Sequence, residues 1–376
     1  MASLKEIELH HVRIPLIRPF QTSFGTQVNK EGILLKLSTT SGEIGWGEIP
    51  LTSVPGYCYE TIFTSWYILK DFIIPVIRRK NVENSLHSID DWINNLKSML
   101  TDIRGHNFAK SGFDFCFWNL KSRIEGKSLP EILGATKKNI PTGISIGIQK
   151  SHKNLLNIVR SALEQKYKRI KIKIEPNQDI ELIKYLRKEL GDFPLMVDAN
   201  SAYTLSDKDL LLKMDKYDLL MIEQPLSHDD IVDHATLQKE LTTPICLDES
   251  IHNVDDARKA ITSNSCKIIN IKAARVGGLT ESMKIARYCY ENNIGVWCGG
   301  MLESGIGRII NIALQANFMF NYPGDTSASK RYFEKDVITP EVLLDETGSI
   351  NVETKYEINE KIINKYSEKE EIFNLT

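Results

Sequence analysis

The sequence predicts an α/β protein in which a parallel (β/α) barrel follows an α+β module. Three observations predict this fold: after Gly134 short apolar runs alternate with amphipathic helical segments, each run ends in a polar residue, and successive end residues lie 24 or 25 positions apart. That spacing fits one strand, one helix and two short loops. Five of these end residues are Lys173, Asp198, Glu223, Asp248 and Lys272.

The residues before Gly134 are predicted to form the α+β module. Polar and apolar positions alternate in short runs up to about residue 60, as in 32–38 and 43–48, which indicates an antiparallel meander. From residue 60 to residue 134 the apolar spacing is helical and proline is rare, as in 88–96. The two halves together account for about 130 residues.

The repeat after Gly134 predicts seven strands. The segment after Lys173 is predicted to be a helix that connects two strands. Its apolar residues Ile183, Leu186 and Leu190 recur three and four residues apart, and Gly191 lies where a helix C-terminal glycine is expected. An open doubly wound sheet is the alternative, but it usually has a glycine-rich phosphate loop after its first strand. The predicted strands are 143–147, 169–173, 195–198, 219–223, 244–248, 268–272 and 294–298.

The charge balance and the apolar pattern restrict the partners. The 376 residues include 47 Lys+Arg and 49 Asp+Glu, so no basic excess favours a nucleic acid or an anionic membrane surface. The N-terminus reaches acidic residues before any apolar stretch of signal-peptide length, and no later segment approaches the roughly 20 apolar residues that span a bilayer. We therefore expect a cytoplasmic protein with a small-molecule ligand.

Three successive predicted strands end in a carboxylate. The carboxyl ends of barrel strands meet on one face, so Asp198, Glu223 and Asp248 are expected to be neighbours. An all-oxygen, triply anionic site suits a hard divalent cation such as Mg²⁺ or Mn²⁺. The alternative is that each carboxylate simply begins a solvated loop. The register of five polar end residues, all after apolar runs, favours the metal site.

Lysines flank the carboxylates on both sides. Lys171 and Lys173 are two positions apart on one strand and so share a face, while Lys272 ends a strand on the other side of the carboxylates. Partial burial and the crowding of two like charges are expected to lower a lysine pKa in the Lys171/Lys173 pair towards the range of a general base. A cation facing two lysines suits removal of a proton α to a carboxylate, since the resulting enediolate needs neutralisation. An exposed lysine pair at a sheet edge is the alternative for Lys171 and Lys173.

On these motifs the chain resembles the enolase superfamily, muconate lactonizing enzyme subgroup, and within it the o-succinylbenzoate synthase / N-acylamino acid racemase family. The resemblance extends over nearly the whole chain, because 45–48 and 109–110 resemble the capping domain of that family. The segments that carry it in the barrel are 171–176, 196–203, 222–226, 246–250, 270–278 and 297–308.

The resemblance implies a (β/α)7β TIM-like barrel with an α+β capping domain formed by the N-terminal region and the C-terminal tail. The implied boundaries are 1–134 for the N-terminal part of the cap, 135–325 for the barrel and 326–376 for the segment that completes the cap. Loops 19–25 and 55–59 of the cap are expected to close over the substrate. A homo-oligomer is also expected.

The resemblance also implies the site residues. Asp198, Glu223 and Asp248 would bind Mg²⁺ or another divalent cation, with Asn200 and Glu249 in support. Lys173 and Lys272 would be the two acid/base lysines, and Lys171 a neighbour that lowers the pKa of Lys173. The implied substrate-binding residues are Ser145, Asn200, Gly300 and Met301.

Two activities remain open within that family. One is an o-succinylbenzoate synthase, a lyase of menaquinone biosynthesis that dehydrates 2-succinyl-6-hydroxy-2,4-cyclohexadiene-1-carboxylate. The other is N-succinylamino acid or N-acylamino acid racemisation by the same two lysines. The predicted seventh strand lacks the histidine of acid-sugar dehydratases and mandelate racemases, and Asp325 is a single acid where dipeptide epimerases carry two. A catalytically silent barrel is the remaining alternative, although a metal site alone needs neither lysine.

Overall fold

Alternating apolar residues in the first 50 positions build the sheet of the cap. In the computed structural model, which describes residues 3–22, 25–176 and 179–375, the order of this sheet is β15-β1-β2-β3, where β15 is the C-terminal strand Ser367–Asn374, and all its pairings are antiparallel. Ile7 faces Leu37 and Leu9 faces Leu35, so buried apolar pairs stabilise the meander. The first three strands are β1 (Leu4–Thr22), β2 (Gly25–Thr39) and β3 (Ile44–Ile49).

The helices of the cap cover this sheet. The backbone of α4 lies against β3 at Gly47, where a Cβ would be 2.4 Å from the carbonyl oxygen of Gly112. Phe117 of α4 packs against Trp92 of α3 with ring centroids 5.4 Å apart. The predicted helical character of residues 60 to 134 is confirmed. The helices are α1 (Ile62–Ile68), α2 (Ile74–Val82), α3 (Ile89–Met99), α4 (Asn107–Glu125) and α5 (Leu129–Ile132), and a π-helical segment (Leu69–Ile73) joins α1 to α2.

The seven predicted barrel strands are present and form one parallel sheet in chain order, after the short strand β4 (Asn139–Pro141). The fourth strand is shorter than the apolar run 219–223, yet the Leu220 N–H donates to the Leu195 carbonyl and extends the pairing. The strands are β5 (Gly143–Ile146), β6 (Arg169–Lys173), β7 (Leu195–Asp198), β8 (Ile222–Glu223), β9 (Ile245–Leu247), β10 (Ile268–Ile271) and β11 (Gly295–Cys298).

A segment after the last helix of the barrel closes the sheet between its first and last strands. Gly324 bridges Thr142 in parallel, and its carbonyl accepts from the Gly143 N–H at 2.7 Å. On the other side the Asp325 N–H donates to the Cys298 carbonyl at 2.9 Å. The predicted (β/α)7β barrel is therefore confirmed.

The helices of the barrel surround the sheet. The predicted helix after β6 is confirmed as α7, and Gly191 follows it with φ +71°, a conformation that glycine adopts without strain. The helices are α6 (His152–Glu164), α7 (Asp179–Leu190), α8 (Lys208–Leu212), α9 (Val232–Glu240), α10 (Val254–Thr262), α11 (Leu279–Glu291) and α12 (Gly305–Gln315).

The barrel interior is filled below the strand ends. The buried Trp297 ring lies among Met196, Met221, Cys246 and Ile268. The interior of the barrel is thus a packed apolar core, and the polar residues at the strand ends lie above it.

The C-terminal segment returns to the cap. β15 pairs with β1, so the last strand lies in the same sheet as the first and the predicted cap formed from both ends of the chain is confirmed. Within the described ranges, no helix is long and apolar enough to cross a membrane. The remaining elements are β12 (Ile338–Thr339), β13 (Ser349–Asn351), β14 (Glu357–Ile358), α13 (Glu360–Tyr366) and β15 (Ser367–Asn374).

A buried carboxyl group joins the cap to the barrel. Asp114 of α4 accepts a hydrogen bond from the Thr280 N–H in the first turn of α11 at 3.2 Å. Gly278, with φ +122°, allows this approach, because a Cβ there would lie 2.3 Å from the Asp114 Oδ2 atom. Burial raises the pKa of Asp114 from 3.8 to about 6, and hydrogen bonds from Thr280 only partly offset that effect.

We expect Asp114→Asn to change how stability depends on pH. In the unfolded chain this carboxyl group loses its proton near pH 4, whereas in the folded protein it does so near pH 6. The wild-type protein therefore loses about 3 kcal/mol of unfolding free energy between those pH values, and the loss persists at higher pH. The asparagine variant lacks this contribution. Urea unfolding of both proteins at pH 4 and pH 7 measures the difference, and parallel pH profiles would contradict the prediction.

Candidate active site

The polar ends of the barrel strands meet on one face beneath the cap. The pairing aligns Lys173 of β6 with Asp198 of β7, and Asp198 with Glu223 of β8. A cavity of about 190 Å³ lies above this ring. Lys173 and Lys272 reach it from strands separated by β7, β8 and β9, as the sequence predicts.

Lys173 lies at one side of the ring in a network of hydrogen bonds. Its Nζ atom is 2.9 Å from the Asp198 Oδ2 atom and also donates to the Asn200 side-chain oxygen. Asn200 in turn donates to Glu249 at 3.0 Å, and its backbone N–H donates to the other Asp198 oxygen. The neighbouring isoleucines of β6 are buried on the opposite face, so both lysines of this strand point inward, as predicted.

Lys171 is more deeply enclosed than Lys173. Its Nζ atom lies 3.0 Å from Glu223, 3.0 Å from Asp325 and 3.5 Å from Asp198, and it stands 4.8 Å from the centre of the Trp297 ring. Burial alone would lower the pKa of Lys171, but these three carboxylates outweigh it and raise the pKa above its ordinary value. Lys171 is therefore a fixed positive charge beside the acid/base candidates.

Lys272 occupies the other side of the ring together with a tyrosine of the cap. Its Nζ atom is 2.7 Å from the Asp248 Oδ2 atom and 3.3 Å from the Tyr57 hydroxyl. Arg275 donates to the same tyrosine at 3.1 Å and pairs with the Asp248 Oδ1 atom. Although burial lowers the pKa of Lys272, Tyr57 and nearby carboxylates such as Glu249 raise it above the ordinary lysine value. Carboxylates outnumber the ammonium groups around Lys171 and Lys272, so the pKa of each of these two lysines lies above its ordinary value.

The three predicted metal ligands are neighbours, but each is drawn towards a cationic side chain. Asp198, Glu223 and Asp248 do not bring one oxygen each to within 4.8 Å of one another. Asp198 and Glu223 face the lysines of β6, whereas Asp248 faces Lys272 and Arg275.

The chemistry of this set nevertheless fits a hard divalent cation. All its donors are carboxylate oxygens, which Mg²⁺ prefers. The adjacent Glu249 Oε2 atom is buried without a hydrogen bond, and burial raises the pKa of this carboxyl group. An unsatisfied buried oxygen next to three carboxylates indicates room for a cation.

The predicted substrate-binding residues all line the cavity. Ser145 comes from β5, Asn200 follows β7, and Gly300 and Met301 follow β11. Glu223 and Asp248 lie beneath the cavity surface with no exposed area.

The cap supplies the opposite wall of the cavity. Tyr57 of the predicted loop 55–59 lines it together with Leu51 and Val54. Phe20 also lines it, but the structure places this residue in β1, paired with Gln27 of β2, where a loop was predicted. Phe20 also packs edge-on against Tyr332, with ring centroids 6.3 Å apart. Part of the first predicted loop, residues 23–24, lies outside the described residues. The wall thus combines apolar and aromatic side chains with polar ones such as Lys30 and Glu31.

Several side chains of the site are not among the predicted residues. Asp325 binds both Lys171 and Arg169, whose Nη2 atom lies 2.5 Å from its Oδ1 atom, and these cations hold the pKa of Asp325 well below its ordinary value. Asn270 donates to Glu223 at 2.7 Å. Asp325 follows Gly324, which closes the barrel sheet, and so lies where a barrel strand would end. Asn270 lies in β10, two residues before Lys272. Register along these strands is the signal that could have identified both.

A buried ion pair lies where the cap meets the barrel. Lys30, which lines the cavity, pairs with Glu48 at 2.8 Å, and both side chains are fully enclosed. Glu48 accepts from the backbone N–H groups of Ser304 and Gly307 at the start of α12. A carboxylate at a helix N-terminus is stabilised by the helix dipole. The pair thereby holds the cap sheet against the last helix of the barrel.

Comparison with known proteins identifies relatives of both parts of the chain. The family model "Mandelate racemase / muconate lactonizing enzyme, N-terminal domain" matches residues 5–134, and the model "Enolase C-terminal domain-like" matches residues 155–357. A crystal structure of an enolase superfamily member from Listeria innocua is similar over 100% of both chains, with a TM-score of 0.93 and 39% identity.

Curated relatives are similar over most of their length. The chain is 43% identical to an o-succinylbenzoate synthase of Geobacillus kaustophilus, over 100% of this chain and 98% of that protein. It is 40% identical to an N-succinylamino acid racemase of an Amycolatopsis species, over 90% of each.

Proposed function

Since the chain belongs to the mandelate racemase / muconate lactonizing enzyme family of the enolase superfamily, we propose that it catalyses the o-succinylbenzoate synthase reaction. The substrate would be 2-succinyl-6-hydroxy-2,4-cyclohexadiene-1-carboxylate, which loses water to become aromatic in menaquinone biosynthesis. The observation that carries the proposal is the placement of Lys173 and Lys272 on opposite sides of a carboxylate ring, beneath the cap. The 43% identity to a relative named for this reaction supports it.

We assign the residues of the chain to the steps of this reaction. Lys173 would remove the proton α to the substrate carboxylate, since its amine borders the cavity and is held in place by Asp198 and Asn200. Lys272 would stabilise the negative charge that develops on the substrate. Lys171 would offset part of the negative charge of the carboxylates in the ring. The Lys173 ammonium group would then return that proton to the β-hydroxyl group on the same face, so that the C–O bond breaks and water leaves, and the cap wall would exclude solvent.

A divalent cation fits this assignment. We propose Mg²⁺ held by Asp198, Glu223 and Asp248, with Mn²⁺ as a substitute. The bound cation would neutralise the second negative charge that arises when a carboxylate loses its α-proton.

N-succinylamino acid racemisation is the second candidate. A racemase needs an acid/base group on each face of the substrate, and the positions of Lys173 and Lys272 meet that requirement. The 40% identity to a relative of that name also favours it.

The direct test is turnover of both substrate classes. We expect the purified protein with Mg²⁺ to dehydrate the cyclohexadiene carboxylate. The ultraviolet absorbance of the aromatic product measures this reaction. Incubation of the protein with N-succinyl amino acids in D₂O tests the second candidate. Proton NMR measures α-deuterium exchange, and chiral chromatography measures racemisation. Absence of turnover of either substrate would refute the proposed function, whereas racemisation without dehydration would reverse the order of the two.

Lys272→Ala should distinguish the assigned steps. If the two lysines serve opposite faces, this variant keeps α-deuterium exchange on the N-succinyl enantiomer that presents its proton to Lys173. Net racemisation should fall about 10²-fold or more, because no second group returns the proton. Lys267→Ala, a lysine near the start of β10, is the control. Equal loss of exchange for both enantiomers would contradict the division of labour between the lysines.

A further inference from the structure

A histidine and two glutamates form a cluster on the cap sheet, outside the lining of the catalytic cavity. Glu8 and His10 are two positions apart on β1 and therefore share a face, and the sheet register places Glu370 of β15 opposite His10. One ligand atom of each residue lies within 4.8 Å of the other two. The cluster thus joins the first and last strands of the sheet.

The hydrogen bonds of His10 determine which ring nitrogen carries a proton. The Ser367 hydroxyl lies 3.3 Å from the His10 Nδ1 atom and donates its single proton to the Ile363 carbonyl at 2.9 Å. With the hydroxyl proton assigned to the Ile363 carbonyl, the Ser367 oxygen accepts from Nδ1, and this assignment makes Nδ1 the protonated atom. In the neutral ring the other nitrogen, Nε2, then presents a bare lone pair.

That lone pair faces negative charge. The His10 Nε2 atom is buried without a hydrogen bond, and the Glu8 Oε2 atom is 3.4 Å away. A nitrogen lone pair opposite carboxylate oxygens is repulsive unless a proton or a metal cation stands between them. A hydrogen-bonded Nδ1 that leaves Nε2 free is also the arrangement in which histidine binds metals.

The surroundings leave space for a cation to enter and restrict its charge. Glu370 is exposed, so the cluster opens to solvent on the side of β15. The other Glu8 oxygen, Oε1, pairs with Lys36 at 3.1 Å, and Lys36 also pairs with Glu360. Lys36 therefore neutralises part of the acidic charge but leaves Glu8 Oε2, His10 and Glu370 as donors.

We propose that Glu8, His10 and Glu370 form a second metal site that binds a transition-metal dication of the Zn²⁺ class. One imidazole nitrogen and two carboxylate oxygens suit Zn²⁺, Co²⁺ or Ni²⁺ better than the Mg²⁺ of an all-oxygen site. Ligand bonds of about 2.0 to 2.2 Å need only small side-chain movements, given the present separations. Binding would connect β1 to β15 and so stabilise the attachment of the C-terminal strand.

Calorimetric titration of the Mg²⁺-saturated protein with Zn²⁺ tests the site. We expect one Zn²⁺ site that Mg²⁺ does not block, and a rise in the midpoint of thermal unfolding on Zn²⁺ addition. Glu370→Gln, an exposed substitution, should weaken this site at least about 10-fold, and His10→Gln should remove it. Dehydration activity with Mg²⁺ should be unchanged in Glu370→Gln.

Two histidine controls separate this site from adventitious binding. His11→Gln changes the adjacent residue, which points to the other face of β1, and His228→Gln changes an exposed histidine. Both should retain the Zn²⁺ site. No Zn²⁺ binding by the wild-type protein, or binding that survives both Glu370→Gln and His10→Gln, would overturn the proposal.

Discussion

Lys173→Ala is expected to abolish proton abstraction while leaving the fold intact. General-base catalysis by a positioned side chain contributes about 10² to 10⁴-fold, so kcat on the cyclohexadiene carboxylate should fall by about that factor. If the enzyme is a racemase, net racemisation should fall with it, and α-deuterium exchange should be lost on the N-succinyl enantiomer that presents its proton to Lys173. The fold should persist because Asp198 keeps a partner in Lys171 at 3.5 Å. Steady-state rates and the midpoint of thermal unfolding measure the two effects.

The control for this variant is Lys184→Ala, which removes an exposed lysine from α7. It should retain wild-type rates. If Lys173→Ala keeps a rate within tenfold of the wild type, a different group is the base. A parallel collapse of the thermal midpoint would instead show that the ammonium group is needed to hold the carboxylates together.

Glu223→Gln is expected to weaken divalent-cation binding more than any exposed substitution. The change keeps the size of the side chain but removes one of three negative charges from the proposed ligand set. Loss of outer partners of metal ligands alone lowers affinity 10 to 100-fold, so loss of a ligand charge should cost about 10²-fold or more. Lys171 would still face Asp325 at 3.0 Å, so the buried ammonium group keeps a counter-charge.

Calorimetric titration with Mn²⁺ measures this affinity, and the rate at saturating Mg²⁺ measures the catalytic effect. Glu240→Gln, at the end of α9, is the control and should leave both unchanged. An unaltered Mn²⁺ affinity in Glu223→Gln would show that this carboxylate is a counter-ion of Lys171 and no ligand.

The residues at the strand ends are the part of the site that the sequence predicts best. A repeat of 24 or 25 residues is enough to align Lys173, Asp198, Glu223 and Lys272 on one face. The parallel strands pair in chain order, so residues at equivalent positions of successive repeats become neighbours. The inward direction of Lys171 and Lys173 likewise follows from the two-residue period of a strand. These predictions needed no knowledge of how the cap is packed.

Contacts between distant segments could not be predicted in the same way. Asp325 reaches Lys171 only because residues near 324 close the barrel against β5, and Tyr57 reaches Lys272 only because the cap lies over the ring. The ionisation of the lysines depends on these contacts. The carboxylates that surround Lys171 and Lys272 raise the pKa of both lysines, and the sequence alone does not show that arrangement.

The sequence by itself determined the barrel, the cap and the ring of lysines and carboxylates, since periodic patterns and strand register are local properties of the chain. Only the tertiary structure decided which cation each carboxylate faces, and that His10 meets Glu370 across 360 positions. The physical reason is that ion pairing and hydrogen bonding depend on distances of 3 to 4 Å between side chains. Sequence spacing sets such distances within one strand or repeat, but between the two ends of the chain the packed sheet sets them.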